Sequence, residues 1–173
     1  LDSCLVSNGP VAVRIQQWPA GEDSSASVEV TAHNPLRHFW GNIHSHTNVS
    51  DGRMRPAEAY AYARDIAKLD FFSLTDHLEQ VDPAEWRECV RAADLAHADG
   101  TFVAFSGLEW TKGVGHMCVY EPAGHIWPES LSEFYQFAPR NAAVAKFNHP
   151  GWRDTTFDDF AYSPEGDSVM QLM

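Results

Sequence analysis

The sequence predicts an α/β fold in which strands and helices alternate from residue 39 onward. Three observations predict it. Short apolar runs typical of strands recur between amphipathic helical segments, which favours parallel β/α construction. Two helical segments begin with explicit capping signals, and histidines or carboxylates directly follow most of the strand-like runs. Of the 173 residues, 44% are hydrophobic and 21% are charged, as expected for an ordinary globular domain.

Residues 1–38 are predicted to form a short β extension or the remnant of an accessory module. Apolar and polar residues alternate at 11–15 and again at 27–31, which is the period of a half-buried strand. Residues 19–25 between them are rich in turn-forming side chains. A hairpin of this size is marginally stable alone, so we expect it to depend on the domain at 39–173.

Six strands and three helices are predicted in residues 39–173. The first helix begins with Pro56 at its first position, where a missing N–H costs nothing. Asp82 and Glu85 form a capping box for the second helix, and Gly100 ends it. Ser130 caps the third helix, and Pro139 ends it. The first helix is predicted to bury Ala59, Tyr62, Ile66 and Leu69. The predicted strands cover residues 39–44, 71–75, 101–105, 116–120, 143–147 and 168–172.

The composition excludes several classes of partner. A net charge of −12 argues against a nucleic-acid surface, which requires clustered Lys and Arg. No apolar run is long enough to span a bilayer, so no membrane partner is predicted. The three cysteines form no C-x-x-C pair, so no disulfide framework is predicted and a reducing, cytoplasmic compartment is favoured. The sequence predicts no particular oligomeric state.

Potential metal ligands follow the predicted strands at several places. In β/α barrels the C-terminal ends of the strands meet at one rim, so residues at these positions converge. One candidate, His116, begins its strand, but the short connection from Glu109 can return it to the same rim. Imidazoles and carboxylates bind Zn, Mn or Fe, and a shared carboxylate can bridge two ions. The residues at strand ends are His44, His46, His77, Glu109 and His149.

These motifs resemble those of the PHP superfamily, named after bacterial polymerase and histidinol phosphatase domains. The motifs are HSHT at residues 44–47, SDG at 50–52, LTDH at 74–77, GLE at 107–109 and HP at 149–150. Residues 63–71, 107–111 and 115–116 are similar to a metallohydrolase branch that includes relatives of carbamate-cleaving hydrolases. The resemblance covers residues 39–151. It implies a distorted (β/α)7 barrel that holds two or three divalent metal ions.

The resemblance also implies roles for the candidate ligands. His44 and His46 would bind the first ion, and Glu109 would bridge it to a second ion. His116 and His149 would complete the coordination of that second ion. Zn, Mn or Fe are the expected metals.

A third ion would be held by Asp51 and His77. Asp76 would be either a ligand or a residue that orients one, and the residues alone allow a third interpretation, a turn-forming aspartate. Of the candidate site residues, we predict that Asp76 and Glu109 are catalytic.

The family usually has an Asp-x-His pair near the end of the barrel, and no such pair follows His149. This departure predicts that the sequence lacks the C-terminal part of the barrel, or that its site is open. We predict a hydrolase that uses a metal-bound hydroxide on a small-molecule phosphoester, carbamate or other ester. The alternative is a non-catalytic metal-binding module of a larger protein.

Five further side chains have two open interpretations each. Lys112 and Arg153 follow the ligand motifs closely, so they could meet an anionic substrate group or remain solvated loop charges. Trp110 and Trp152, like Trp127, could line a substrate pocket or pack inside the domain.

Overall fold

The structure is a computed structural model that describes residues 11–14, 27–30, 38–125, 128–142 and 144–172. The chain divides into two compact units, Leu1–His38 and Phe39–Met173. In the first unit, β1 (Val11–Arg14) pairs with β2 (Ser27–Val30) in antiparallel register, where the alternating patterns predict strands. The predicted turn at residues 19–25 lies outside the described residues.

The second unit is built on a curled sheet of six strands. These are β3 (Gly41–Asn42), β4 (Phe71–His77), β5 (Val103–Lys112), β6 (Gly115–Tyr120), β7 (Val144–Asn148) and β8 (Met170–Leu172). They are hydrogen-bonded in the order β3-β4-β5-β6-β7-β8. The α/β class is confirmed, and the curled sheet is consistent with part of a barrel. A complete (β/α)7 arrangement is not found among the described residues.

Strand β6 departs from the parallel arrangement that we predicted. It is antiparallel to both of its neighbours, whereas the β3–β4, β4–β5 and β7–β8 pairs are parallel. Only Gly113 and Val114 separate β5 from β6, and two-residue connections of this kind produce hairpins. The first residues of β6 therefore lie at the same edge of the sheet as the last residues of β4 and β5.

Each helix of this unit lies between two strands in the order of the chain. They are α1 (Pro56–Ala61), α2 (Pro83–Ala96), α3 (Leu131–Asn141), α4 (Phe157–Phe160) and α5 (Pro164–Asp167). A π-helical turn, Tyr62–Ile66, continues α1, and single 3₁₀ turns occur at Leu78–Gln80 and Trp152–Asp154. None of the helices that the structure describes has the length and apolar composition needed to cross a bilayer.

The capping signals are confirmed at the start of α2, but two helix ends differ from the prediction. The Asp82 carboxylate accepts hydrogen bonds from the N–H groups of Ala84 and Glu85, at 2.6 and 2.8 Å. Helix α2 ends at Ala96, before Gly100, because the chain then forms a backbone bridge between residues 98 and 102. Helix α3 continues past Pro139, since a proline in the last turn removes only one internal hydrogen bond.

The predicted buried face of the first helix is wrong at two positions. Tyr62 is 49% exposed and Ile66 is 68% exposed, whereas Tyr60 is fully buried. The π-helical turn changes the angular spacing of the side chains after α1, so they do not continue the predicted stripe. The Tyr60 hydroxyl donates to Phe105 O at 2.8 Å and accepts from Leu74 N at 3.3 Å. These bonds tie α1 to β4 and β5.

Candidate metal centre

Strand pairing places several of the predicted ligands on one face of the sheet. Glu109 on β5 lies opposite His77 on β4 and opposite Cys118 on β6. His116 comes two residues before Cys118, and side chains alternate between the faces of a strand. His77, Glu109 and His116 therefore share a face, and the antiparallel direction of β6 brings His116 to the edge where the other two lie.

The remaining histidines reach this face from the ends of β3 and β7. His44 and His46 follow β3 in an extended segment that stays paired with β4, since Thr75 N donates to Ser45 O at 2.8 Å. Residues at i and i+2 of an extended segment point the same way. His149 directly follows β7 and has a φ of 30°, a left-handed conformation that turns the chain at this point.

Five imidazoles surround the carboxylate of Glu109, a residue that is only 1% exposed. Its Oε2 lies 3.1 Å from His46 Nε2 and 3.2 Å from His77 Nδ1. Its Oε1 faces the other three rings, at 3.3 Å from His44 Nε2, 3.3 Å from His116 Nδ1 and 3.5 Å from His149 Nε2. The structure thus brings six of the predicted site residues together, with different histidines on the two oxygens.

Glu109 is a carboxylate anion in this setting. Burial alone favours its neutral acid, but hydrogen bonds and charge from His44 and His46 outweigh burial and hold the pKa of Glu109 well below its usual range. Burial lowers the pKa of His116, although the charge of Glu109 partly opposes this effect. A buried carboxylate among imidazoles is the donor set that divalent transition metals bind.

Two structural observations indicate that these residues fit a metal ion. His46 Nε2 is buried and lies 3.1 Å from Glu109 Oε2, so one ion could be held by both atoms. Two donor atoms held by one tetrahedral ion at bond lengths of about 2.1 Å lie about 3.4 Å apart, close to the N···O distances around Glu109. Three groups have donor atoms that all lie within 4.8 Å of one another: His46–His77–Glu109, Glu109–His116–His149 and His44–Glu109–Cys118.

Asp51 lies behind His46 and belongs to none of these three groups. Its Oδ1 is 2.6 Å from His46 Nδ1, and its Oδ2 is 3.6 Å from His77 Nε2. A carboxylate on the far nitrogen of an imidazole fixes the tautomer, so that Nε2 of His46 stays free for a metal. Gly52 allows the close turn, since a Cβ there would lie 2.2 Å from His46 O. Ligation of a third ion by Asp51 stays a prediction.

Asp76 is buried and its carboxylate accepts three hydrogen bonds from one loop. Thr47 N and Ser50 Oγ donate to Oδ1 at 2.7 and 2.6 Å, and Thr47 Oγ1 donates to Oδ2 at 2.8 Å. These bonds attach the loop that carries Asp51 to the end of β4. The geometry is that of a residue that orients the loop, and a catalytic role for Asp76 stays a prediction.

An aromatic ring and a cation lie at the rim of the centre. The Trp152 ring is centred 5.2 Å from the His116 ring and 5.3 Å from the His149 ring, and the residue is 44% exposed. The Arg153 guanidinium carbon lies 4.3 Å from the centre of the Trp152 ring, a cation–π contact. These contacts hold a positive charge near the candidate ligands.

The other residues with two interpretations lie elsewhere. Lys112 Nζ forms an ion pair with Glu129 Oε2 at 3.0 Å, so a neighbouring carboxylate offsets its charge. Trp110 is fully buried in the core and donates from Nε1 to Pro128 O at 2.6 Å. Trp110 therefore packs inside the domain, whereas Trp127 lies outside the described residues.

Asn148 and Lys146, for which no role was predicted, lie at this centre. Asn148 donates to Glu109, and Lys146 donates to Asn148. Their positions in the sequence could have indicated this. They are two residues apart at the end of β7, so both lie on the face of the sheet that carries His116. A lysine and an asparagine in a strand have many other roles, so spacing alone does not distinguish them.

We expect the metal-free protein to lose stability as the pH rises from about 6.5 to about 9. Burial opposes protonation of His46, but hydrogen bonds to Glu109 and Asp51 outweigh it and raise the pKa of His46 to about 9. Because the pKa of His46 is higher in the folded protein than in the unfolded chain, its protonation stabilises the fold. This stabilisation is complete below pH 6.5 and is lost as the pH rises past about 9. The free energy of unfolding should fall by about 3 kcal/mol over this range.

Urea unfolding with a chelator present, at several pH values, measures this loss. His46→Ala should remove most of the pH dependence, whereas His97→Ala, at a histidine outside the candidate metal groups, should retain it. Equal slopes for the wild type and His46→Ala would contradict the prediction.

The sequence matches no family model and no curated protein. Solved structures do match. One is a two-domain protein from Bacteroides vulgatus containing a predicted PHP-like metal-dependent phosphoesterase, with a TM-score of 0.57 and 21% identity over 86% of this chain and 46% of that chain. Another, from Bifidobacterium adolescentis, is provisionally assigned as a metal-dependent phosphoesterase; its TM-score is 0.36 and its identity 22%, over 57% of this chain and 32% of that chain.

The Bacteroides vulgatus structure confirms the predicted PHP resemblance at the level of the fold. The present chain spans about half the length of that protein. The narrower resemblance to the carbamate-cleaving branch is not tested by either structure.

Proposed function

We propose that this protein is a metal-dependent hydrolase whose centre is organised by Glu109. The observation that carries the proposal is a buried, ionised carboxylate with five imidazole nitrogens 3.1 to 3.5 Å from its two oxygens. An isolated ion pair would not need five such groups around one carboxylate. The fold shared with a protein named as a PHP-like metal-dependent phosphoesterase supports the same function.

The two oxygens of Glu109 suggest how the ligands are divided. We propose that His46 and His77 would hold one ion with Oε2, and that His116 and His149 would hold another with Oε1. His44 would complete a coordination sphere next to Oε1. When bound, divalent ions at such a centre lower the pKa of water and offset the negative charge that develops on the substrate.

The protein's own residues would then orient the ligands and receive the substrate. Asp51 holds the Nδ1 proton of His46 and so directs Nε2 toward Glu109. Asp76 would act through the loop that carries Asp51. Arg153, held over Trp152 beside two of the histidines, is the candidate for contact with an anionic substrate group.

A phosphoester is the proposed substrate class. The positive charge of Arg153 at the rim favours a substrate that remains anionic, as phosphoesters do and carbamates do not. A carbamate or other ester is the second candidate, and the resemblance of residues 107–111 to that branch is the observation that favours it.

Elemental analysis combined with a paired substrate assay tests the function. The protein is stripped with chelator, reloaded with Zn, Mn or Fe(II), and assayed with a p-nitrophenyl phosphodiester, phosphomonoester and carbamate. We expect two or more metal equivalents per chain and chelator-sensitive hydrolysis of a phosphoester. Hydrolysis of the carbamate alone would reverse the substrate assignment. Bound metal without turnover of any substrate would support a non-catalytic metal-binding module.

A further inference from the structure

Asn148, the last residue of β7, contacts the carboxylate of Glu109. It is fully buried, and its Nδ2 donates to Glu109 Oε1 at 2.8 Å and to Cys118 Sγ at 3.0 Å. One amide nitrogen thus contacts both the Glu109 carboxylate and the Cys118 thiol. A neutral donor at this place can hold the plane of the Glu109 carboxylate without competing as a metal ligand.

Lys146 determines which way the amide of Asn148 points. It lies two residues earlier on β7, and its Nζ donates to Asn148 Oδ1 at 2.8 Å. A lysine ammonium has only donors, so only the amide oxygen can face it. The amide nitrogen must then face Glu109. Without Lys146, the amide could rotate by half a turn and place its oxygen against the carboxylate, where two acceptors repel.

We propose that Lys146 and Asn148 form a positioning pair that fixes the orientation of Glu109 and thereby sets the metal affinity of the centre. Asn148 occupies one acceptor position of Oε1, which directs the remaining acceptor position toward the histidines on that side. The inference rests on the proposed function only in requiring that the centre binds a metal.

The charge of Lys146 gives this proposal an unusual test, because its two effects on metal binding have opposite signs. A nearby positive charge repels a divalent cation, so removing it should tighten binding if charge alone matters. If Lys146 acts by orienting Asn148, its removal should weaken binding, because Glu109 is then no longer held in place. The direction of the change separates the two roles.

The first experiment measures zinc affinity by competition with a chromophoric chelator for the wild type and Lys146→Met. We expect Lys146→Met to weaken binding by about tenfold, the lower range for a residue that acts through a metal ligand. Lys68→Met is the matched control, since Lys68 is exposed near the end of the π-helical turn, and its zinc affinity should equal that of the wild type. Unchanged or tighter binding by Lys146→Met would overturn the proposal.

A second variant tests whether Lys146 acts through Asn148. Asn148→Ala should weaken zinc binding by about 10- to 100-fold. In the Asn148→Ala background, Lys146→Met should cause no further weakening, because the residue that it orients is gone. Equal weakening by Lys146→Met in both backgrounds would show an independent effect and overturn the proposal. Lys146 is only partly buried, so its variant carries the test even where Asn148→Ala fails to fold.

The wild-type measurement separates failure of this inference from failure of the proposed function. A wild type that binds no zinc overturns both. A wild type that binds zinc with an affinity that Lys146→Met leaves unchanged overturns the positioning pair alone.

Discussion

Glu109→Gln is expected to reduce bound metal to less than one equivalent per chain. It should also lower phosphoester hydrolysis by more than about a hundredfold, because loss of a residue that merely supports a metal ligand can already cost about that much. Both oxygens of Glu109 face candidate ligand histidines, so losing its charge affects all three groups of described residues that could hold an ion. Glutamine keeps the volume of the side chain, but its amide nitrogen cannot be a ligand and would face histidines on one side.

Elemental analysis of Glu109→Gln after metal loading checks this result. Glu88→Gln is the matched control, because Glu88 is exposed on α2, and it should bind metal as the wild type does. Circular dichroism establishes that the variant is folded. Full metal content in a folded Glu109→Gln protein would show that Glu109 does not bridge the centre.

His44→Ala combined with His46→Ala is expected to remove at least one metal equivalent and to abolish hydrolysis while the domain stays folded. Both side chains lie on an extended segment at the rim and belong to neither apolar cluster of the core, so the core should stay packed without them. His116 and His149 contact the other side of Glu109 and should retain an ion.

Metal content, activity and the thermal midpoint of the double variant are measured beside a second double variant, His38→Ala with His97→Ala. Neither His38 nor His97 belongs to a candidate metal group, so the second protein should match the wild type in metal content. If the His44 and His46 variant keeps full stoichiometry, these residues are not the ligands.

Strand positions and capping residues were largely predictable, because they depend on local sequence. The capping box at Asp82 and Glu85 is an example, since all of its atoms lie within four residues. The antiparallel direction of β6 was not predicted, although the two residues between Lys112 and Gly115 are too few for a crossover helix. Spacing alone identified the strand but not its direction.

The candidate site shows the same limit. Five histidines predicted from motifs surround the carboxylate of Glu109, because strand ends converge whatever the detailed packing. The contacts of Asp51, Asp76 and Asn148 were not predictable at this level. Those of Asp76 and Asn148 depend on which side-chain atom faces a neighbour tens of residues away in sequence, such as Asp76 with Thr47. Periodicity carries no information about such contacts.

The β5–β6 hairpin also affects the order in which the centre can assemble. Glu109 and His116 are only seven residues apart and are brought together by a tight turn, so closing this loop costs little chain entropy. His46 and Glu109 are separated by 63 residues in the sequence and meet only when β3 and β4 have joined the sheet. We therefore expect the hairpin to bring Glu109 and His116 together early in folding, before His46 reaches them.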